Sequence, residues 1–364
     1  MSSLARGLMK QKRKDIVDNN QLPSLSELVA DENLKLENGN LTSVPEPAPA
    51  VFDNADEIWK QYHSFKESQF TSIKVNDIQV YCRWPSKSTS PVYVMNHGAG
   101  SSSMTFAKAT EELITKCPDV GVVVYDMRGH GMSPNPSGDY SLNTLVADFS
   151  DVISFVKANT NNSLYLVGHS LGGAVAARYG ATTTDRQLKG LVLLDIVEEV
   201  AIKSLTSMPQ FVHNRPKHFS SITQAIHWHM ENLLHNIESA RLSVPDLLIP
   251  DKLTWKTDLA HTQPYWSTWF ENLSSNFVNF QGPKLLVLST HETLDKQLMI
   301  GQMQGKFQMV AFNNSNETGH FVHEDLPRHI AATLLDFVKR NENPSKFMED
   351  ELGIKPLWGG AIHK

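Results

Sequence analysis

A serine between two glycines, where an apolar run gives way to small residues, constrains this chain more than any other feature. The segment LYLVGHSLGGAVA contains Gly168-His169-Ser170-Leu171-Gly172, which fits the pattern G-x-S-x-G. A strand that ends at such a serine and continues as a helix predicts a sharp, strained turn, because glycine neighbours let the backbone pass without a Cβ clash. The turn would expose the Ser170 hydroxyl at the edge of a sheet, as a nucleophile requires. The alternative is a glycine-rich packing turn without chemistry.

The residues around this turn alternate between apolar strands and amphipathic helices. A hairpin around Asn76-Asp77 is predicted first. The predicted strands that follow are PVYVMN, VGVVVY, SLYLVGH, LKGLVLL, PKLLVLS and KFQMVAF. The predicted helices are SSSMTFAKATEELITKC, SLNTLVADFSDVISFVKAN, LGGAVAARYGA and LPRHIAATLLDFVKRN. We expect the serines at the start of the first of these helices to cap it. Continuous apolar strands between helices predict an α/β class fold with a mostly parallel sheet covered on both faces.

The alternation is interrupted once, which defines the predicted domain organisation. Residues 197–281 are patterned as helices and too long for a plain loop, so we expect a helical cap inserted between two halves of the α/β core, 53–196 and 282–345. Residues 1–52 are poor in aromatics and predict a flexible arm or linker, and 346–364 form a C-terminal extension. The aromatic residues of the cap are candidates for a substrate groove or for simple cap core: Trp228, Trp255, Tyr265, Trp266 and Trp269.

Composition excludes several classes of function. The net charge of −6 over 364 residues argues against a nucleic-acid-binding or membrane-surface protein. Two cysteines, Cys82 and Cys117, are too few for a disulfide framework or a cysteine metal cluster. The pair His227 and His229 would diverge by about 200° on a helix and could not share one ion. We therefore expect no metal site at these residues.

The N-terminal segment bears on localisation. The basic run KQKRK at 10–14 lies close to Asp15 and has no apolar stretch beside it. An exposed tail is therefore favoured over a transit peptide, and secretion is not expected. We expect a cytoplasmic protein, with the nucleus as a second compartment, and the basic segment leaves mitochondrial association open.

An oxyanion hole requires backbone donors near the serine. The loop Asn96-His97-Gly98-Ala99-Gly100 follows a predicted strand, and the second donor of an oxyanion hole comes from such a loop. We expect the N–H groups of Ala99 and Leu171 to form the hole. Supporting roles are expected for His97, as a structural hydrogen-bonder, and for Gly98, His169 and Gly172. The polar loop from Asp126 to His130 is expected to support the site through hydrogen bonds.

A base and an acid must come later in the chain than Ser170. His320 follows the last predicted strand and precedes the last helix, so we favour it over His323, which would point elsewhere. Asp195 ends the strand after the nucleophile's helix, and Asp295 lies beyond the next core strand. Asp195 is preferred on reach, although spacing alone leaves Asp295 open. The acid would fix the tautomer of His320 and stabilise its cation.

These motifs carry a resemblance to a known family. Three motifs resemble those of the α/β-hydrolase superfamily: the turn at Ser170 (the elbow), the HGAG loop at His97 and the Gly-His pair that ends at His320. The resemblance extends over roughly 70–341. Longer strings are similar to the protein phosphatase methylesterases and occur in order, the cap included: DIVEEVAIKSL, RPKHFSSITQAIHW, ESARLS, TWKTDL, YWSTWF, LDKQLMIGQMQGKFQM and GHFVHEDLP. Animal members carry a long acidic insert between ESARLS and TWKTDL. This chain has only VPDLLIPDKL there, so nothing is transferred from that insert.

The resemblance implies an activity and a partner. Methylesterases of this family hydrolyse the methyl ester on the C-terminal leucine of the catalytic subunit of protein phosphatase 2A, which releases methanol. The matching motifs imply Ser170 as nucleophile, His320 as base and Asp195 as acid, with no cofactor. The resemblance also implies that docking of the phosphatase completes the triad.

Two other functions fit parts of the sequence. A serine esterase or lipase of the same fold that acts on small esters would use the same triad. A non-catalytic phosphatase-binding scaffold would have no use for an intact Ser170 and His320. The serine at the elbow argues against epoxide hydrolases and dehalogenases, which place a carboxylate there.

Overall fold

The computed structural model describes residues 54–290, 293–312 and 317–342. The predicted arm at 1–52 and the extension at 346–364 lie outside these residues. Within them, eight strands form one sheet and two short strands, β7 and β8, form a separate hairpin. The strands in chain order are β1 (Thr71–Val75), β2 (Ile78–Arg83), β3 (Val92–Asn96), β4 (Gly121–Tyr125), β5 (Leu164–His169), β6 (Leu188–Leu194), β7 (Leu248–Ile249), β8 (Thr254–Trp255), β9 (Lys284–Leu288) and β10 (Gln308–Ala311).

Helices connect most of these strands. In chain order they are α1 (Ala55–Gln69), α2 (Ala107–Lys116), α3 (Leu142–Asn159), α4 (Leu171–Thr182), α5 (Glu198–Ser204), α6 (Met208–Asn214), α7 (Ile222–Asn232), α8 (Ile237–Ser243), α9 (Trp266–Trp269), α10 (Leu273–Asn279), α11 (Lys296–Met303), α12 (Val322–Asp325) and α13 (Pro327–Glu342). None of the helices in the described ranges combines the length and the apolar character that a membrane span requires.

The sheet has the order β1-β2-β4-β3-β5-β6-β9-β10. β1 and β2 form an antiparallel hairpin in which Val75 pairs with Ile78, and Asn76 in the turn has a φ of 52°. This confirms the predicted hairpin. β2 also runs antiparallel to β4, whereas every later pairing is parallel. The prediction of a mostly parallel sheet is therefore confirmed.

Both faces of the sheet are buried, which explains the continuous apolar runs of its central strands. Alternate residues enter opposite cores: Val94 and Leu166 pack with α3 and α4, while Tyr93 and Tyr165 pack with α2 and α13. Each large apolar side chain buried in this way stabilises the fold by roughly 1.5–3 kcal/mol. The helices on both faces thus hold the strand ends, and the loops that follow them, in fixed positions.

The serines predicted to cap the second helix do not do so. Ser103–Phe106 form a 3₁₀ turn and α2 begins only at Ala107, without a side-chain cap at either N-terminus. The backbone N–H of Ser103 instead donates to the buried carboxylate of Asp126 at 2.8 Å. Tertiary contact with the loop after β4 therefore replaces the local cap.

The segment 197–281 lies between β6 and β9 and contains helices α5 to α10 and the hairpin of β7 and β8. We call it the cap. Part of it has its own apolar core, to which Ile58 of the N-terminal helix α1 contributes. Lys66 of α1 contacts the fully buried Asp246 of the cap at 2.8 Å. Helix α1, which the sequence analysis did not predict, therefore joins the cap to the rest of the protein.

Candidate active site

Ser170 occupies a strained turn between β5 and α4. Its φ and ψ are 51° and −120°, in a region of backbone conformation that residues other than glycine rarely adopt. A Cβ on Gly168 would lie 2.4 Å from the carbonyl oxygen of Gly172, and one on Gly172 would lie 2.2 Å from that of Asn96. Both glycines are therefore required for the backbone to pass at this point, as the G-x-S-x-G pattern predicts.

Asp195 and His320 form a hydrogen-bonded pair beside this turn. Asp195 follows β6 directly and is 5% exposed. One carboxylate oxygen accepts the backbone N–H of Ser289, after β9, at 2.7 Å. The other accepts from Nδ1 of His320 at 2.9 Å. Because Nδ1 carries the proton, Nε2 of His320 has a free lone pair and can act as a base.

The serine and the histidine share one cavity. Ser170, Asp195 and His320 all line it. Within the described residues, no hydrogen bond joins the Ser170 hydroxyl to the His320 ring. Catalytic hydrogen bonds of unliganded hydrolases are often long and tighten when substrate binds.

The two expected oxyanion donors lie next to the serine. Leu171 is the first residue of α4, so its N–H has no acceptor within the helix. Ala99 lines the cavity, and its N–H donates to no backbone carbonyl in the described part of the chain. Both N–H groups are available to a negatively charged oxygen at the N-terminal end of α4, where the helix dipole favours negative charge.

Two buried histidines fix the loop that carries Ala99. His97 accepts the N–H of Met127 at 3.0 Å through Nε2 and donates to the carbonyl of Gly98 at 2.8 Å through Nδ1. His130 in the same way accepts the N–H of Gly100 at 3.0 Å. Burial lowers the pKa of His97 to about 3 and that of His130 to about 4. Both rings are therefore neutral structural hydrogen-bonders, as predicted for His97 and for the loop from Asp126 to His130.

The backbone around His320 is held by two groups. His169 is buried, and its Nε2 donates to the carbonyl of His320 at 2.9 Å. Burial, with the nearby rings of His323 and His320, keeps the pKa of His169 well below its usual range. Asp325 accepts the N–H of Gly319 at 2.6 Å and the N–H of His235, in the cap, at 2.7 Å. A supporting role is expected for His169 from the sequence, whereas the contribution of Asp325 is visible only in the structure.

The competing residues have structural positions. Nε2 of His323 contacts the hydroxyl of Thr105 at 2.8 Å, and burial lowers the pKa of this ring to about 3. Asp295 caps helix α11 by accepting the N–H of Leu298 at 3.0 Å and also accepts the hydroxyl of Ser274. Neither side chain faces Ser170, so the structure brings together Ser170, Asp195 and His320 and leaves the competitors apart.

The cavity extends from the serine into the cap. It contains roughly 1200 Å³ of space, its open mouth included. Trp228, Trp255 and Trp269 line it, whereas Tyr265 and Trp266 do not. The lining is mainly apolar, with a few polar groups beside Ser170, as is common in sites for organic ligands.

A buried carboxylate forms part of the cavity wall. Glu324 is 3% exposed and accepts the hydroxyls of Thr105, after β3, and Ser243, in the cap. Burial raises the pKa of Glu324 to about 8. This carboxyl group is therefore largely protonated at neutral pH and links the core to the cap. Nothing in the sequence separates it from an ordinary surface glutamate.

Two sets of comparisons agree with this geometry. A family described as the alpha/beta hydrolase fold matches residues 91–327. A Candida albicans protein named protein phosphatase methylesterase 1 is 51% identical over 336 residues, which cover 88% of this chain and 92% of that protein. A Debaryomyces hansenii protein of the same name is 43% identical over 387 residues, with 98% and 99% of the two chains covered.

Solved structures show the same fold at lower sequence identity. The crystal structure of E-2-(acetamidomethylene)succinate hydrolase superposes with a TM-score of 0.59 at 18% identity and covers 74% of this chain and 98% of that one. At this identity the likeness concerns the fold alone. The fold expected from the sequence is confirmed.

Proposed function

The chain belongs to the protein phosphatase methylesterase family of α/β-hydrolases, and we propose that it removes the methyl ester from the C-terminal leucine of the catalytic subunit of protein phosphatase 2A. The family makes it a carboxylic ester hydrolase with a protein phosphatase as its substrate. The identity of the leucine ester and of the subunit rests on the family resemblance.

One observation carries the proposal. Ser170, on its strained turn, lines the same cavity as a histidine whose Nδ1 is bound to a buried carboxylate at 2.9 Å. A serine, an imidazole with a free Nε2 and a carboxylate behind it are the three groups that acyl transfer to a hydroxyl requires. We assign Ser170 as nucleophile, His320 as general base and Asp195 as the acid.

The reaction follows from these positions. Ser170 attacks the ester carbonyl while Nε2 of His320 takes the hydroxyl proton. The N–H groups of Ala99 and Leu171 stabilise the oxyanion, and each such donor contributes about 3 kcal/mol to the transition state. The imidazolium of His320 then gives this proton to the departing methoxide oxygen, which leaves as methanol as its bond to the carbonyl carbon breaks. Water, activated by the same imidazole, hydrolyses the acyl-enzyme and returns the free carboxylate.

The test uses methylated phosphatase catalytic subunit as substrate. Methanol release and loss of the methyl group by intact-protein mass spectrometry are followed for wild type, Ser170→Ala, His320→Ala and Asp195→Asn. Ser154→Ala, which changes an exposed serine on α3, is the matched control. We expect demethylation by wild type and the control and a loss of at least about 10⁴-fold in the serine and histidine variants.

Other outcomes would assign the protein differently. Turnover of small acyl esters with no effect on the methylated phosphatase would identify another serine esterase. Binding of the phosphatase without demethylation, and without labelling of Ser170 by a fluorophosphonate, would identify a scaffold.

A further inference from the structure

Arg215 is a cation in the wall of the catalytic cavity. It follows α6 in the cap and is partly buried. Its guanidinium lies 4.6 Å from the centre of the Trp255 ring and donates to the carbonyl of Thr257 at 3.2 Å. Trp255 is itself held by a hydrogen bond from its indole N–H to the carbonyl of Pro216 at 2.6 Å. The position of the guanidinium is therefore fixed by stacking and by backbone contacts.

This guanidinium has no carboxylate partner among the described residues. Asp258 is near enough to act on its pKa, but the Asp258 carboxylate contacts His261 at 3.2 Å and the N–H of Ala260 at 2.9 Å. Burial lowers the pKa of Arg215, although the group remains charged at every pH at which the protein is folded. A partly desolvated guanidinium, with N–H groups to spare, favours binding of an anion.

Arg215 and Trp255 also separate two spaces. On one side is the cavity that contains Ser170 and His320. On the other is an outer groove, lined by His213, Lys217, Gln263 and Trp266 among others. Of the described residues that line the cavity, Arg215 is the only lysine or arginine. Because Arg215 and Trp255 line both spaces, a chain that spans them would contact this cation.

We propose that Arg215 is a specificity-determining residue that binds the side-chain carboxylate of an acidic residue upstream of the methyl ester, as the substrate tail runs from the outer groove to Ser170. The inference rests on the proposed function, since it requires a protein tail as substrate. The apolar cavity beyond Arg215 would receive the C-terminal side chain, and Trp255 would contact the segment between the two. Charge-assisted hydrogen bonds to a planar guanidinium supply the discrimination.

The test compares matched peptides. C-terminal heptapeptide methyl esters that end in leucine carry either Glu or Gln at one of the six preceding positions, with alanine elsewhere. For each pair, the ratio of kcat/KM is measured with wild type, Arg215→Gln, Arg215→Lys and the control Arg186→Gln, which removes an exposed arginine in the turn before β6. Because the ratio compares two peptides on one enzyme preparation, partial unfolding of a variant cancels.

We expect wild type and Arg186→Gln to prefer Glu over Gln by roughly tenfold at one position. Arg215→Gln should bring this ratio close to one, and Arg215→Lys should retain part of it. A wild-type ratio near one at every position would overturn the inference, as would a preference that survives Arg215→Gln. If only the intact methylated phosphatase is hydrolysed, the same ratio is measured on catalytic subunits that carry Glu or Gln in the tail, and a ratio that Arg215→Gln does not change would overturn the inference. Hydrolysis of neither substrate would instead refute the proposed function.

Discussion

At the scale of single residues, Ser170 combines a reactive position with an unfavourable backbone conformation. Its φ of 51° and ψ of −120° suit glycine, and such strain costs on the order of 1–3 kcal/mol. We expect Ser170→Gly to lose turnover and to unfold about 2–4 °C above Ser170→Ala, which also loses turnover but retains the strain. Thermal unfolding of both variants measures the difference, and equal midpoints would show that the turn is not strained in solution.

The two candidate acids predict opposite mutant phenotypes. Asp195→Asn should lower kcat by roughly 10⁴-fold with little change in stability, because the amide cannot hold the productive tautomer of His320. Asp295→Asn should keep kcat within about threefold and change the unfolding free energy by less than about 1 kcal/mol, since asparagine caps a helix about as well as aspartate does. Steady-state kinetics and denaturant unfolding of both variants check this. A large loss of kcat in Asp295→Asn would contradict the assignment of the acid.

The sequence predicted the residues whose chemistry is local and missed those that act at a distance. The elbow at Ser170 is visible because its glycines are neighbours in sequence. His320 is visible because chain order places a base after the last strand. Asp325 and Arg215 were not identified, because their partners are His235 and Trp255, which only the folded cap brings to them. In the sequence alone, such a carboxylate or guanidinium cannot be distinguished from an ordinary surface charge.

At the scale of elements, helix α1 is attached to the cap through a buried ion pair. Lys66 of α1 and Lys256 of the cap approach Asp246 at 2.8 and 3.7 Å, and their side chains are only 15% and 14% exposed. Although burial raises the pKa of Asp246, the two ammonium groups hold it below its usual range. Asp246→Asn would therefore leave two poorly solvated cations without a charge partner.

We expect Asp246→Asn to lower the free energy of unfolding by about 3 kcal/mol. Glu199→Gln, which breaks an exposed pair with Lys203 at 3.9 Å, should change it by less than about 0.5 kcal/mol. Denaturant unfolding of the two variants provides the comparison. Equal effects would show that the Asp246 cluster does not stabilise the attachment of α1.

Elements with regular patterns were predictable, and the arrangement of the cap was not. The central strands of the parallel sheet are continuous apolar runs because both of their faces are buried, so each can be located from the sequence. Helix α1 buries Ile58, Tyr62 and Phe65 at helical spacing, but this pattern lies beside the proline-rich segment and was not interpreted. The cap helices are short and pack on one another and on α1, so their order in space depends on contacts that periodicity does not encode.

At the scale of the whole molecule, the site is assembled from distant parts of the chain at one edge of the sheet. Ala99, Ser170 and Asp195 each follow the carboxyl end of a parallel strand, and His320 comes from beyond the last strand. Parallel strands bring their carboxyl ends to the same edge, so the fold places these groups together before any substrate binds. Buried histidines fill the space behind them, which makes the stability of the whole fold depend on pH.

Five buried imidazoles have their pKa lowered chiefly by desolvation: those of His97, His130, His169, His229 and His323. Below the ordinary histidine pKa of about 6.5, the unfolded chain takes up protons on these rings while the folded protein does not. The contribution of these neutral rings to the free energy of unfolding is therefore complete above about pH 6.5. It is lost as the pH falls, by up to about 1.4 kcal/mol per pH unit for each ring. Glu324, whose pKa is raised to about 8, acts in the opposite direction and cancels one such slope.

We therefore expect stability to fall between pH 6.5 and 5, because the unfolded chain binds protons on these rings that the folded protein does not bind. Glu324 and the buried Asp126, whose pKa values burial raises, offset part of this difference. Helix α7 offers a matched pair to test this, since His229 is 3% exposed and the His227 side chain is 53% exposed. His229→Gln should reduce the slope of unfolding free energy against pH by the amount that one proton contributes, about 1.4 kcal/mol per pH unit. His227→Gln should leave this slope unchanged. Denaturant unfolding at several pH values measures both slopes. Identical slopes in the two variants would mean that the buried ring takes up its proton without unfolding the protein.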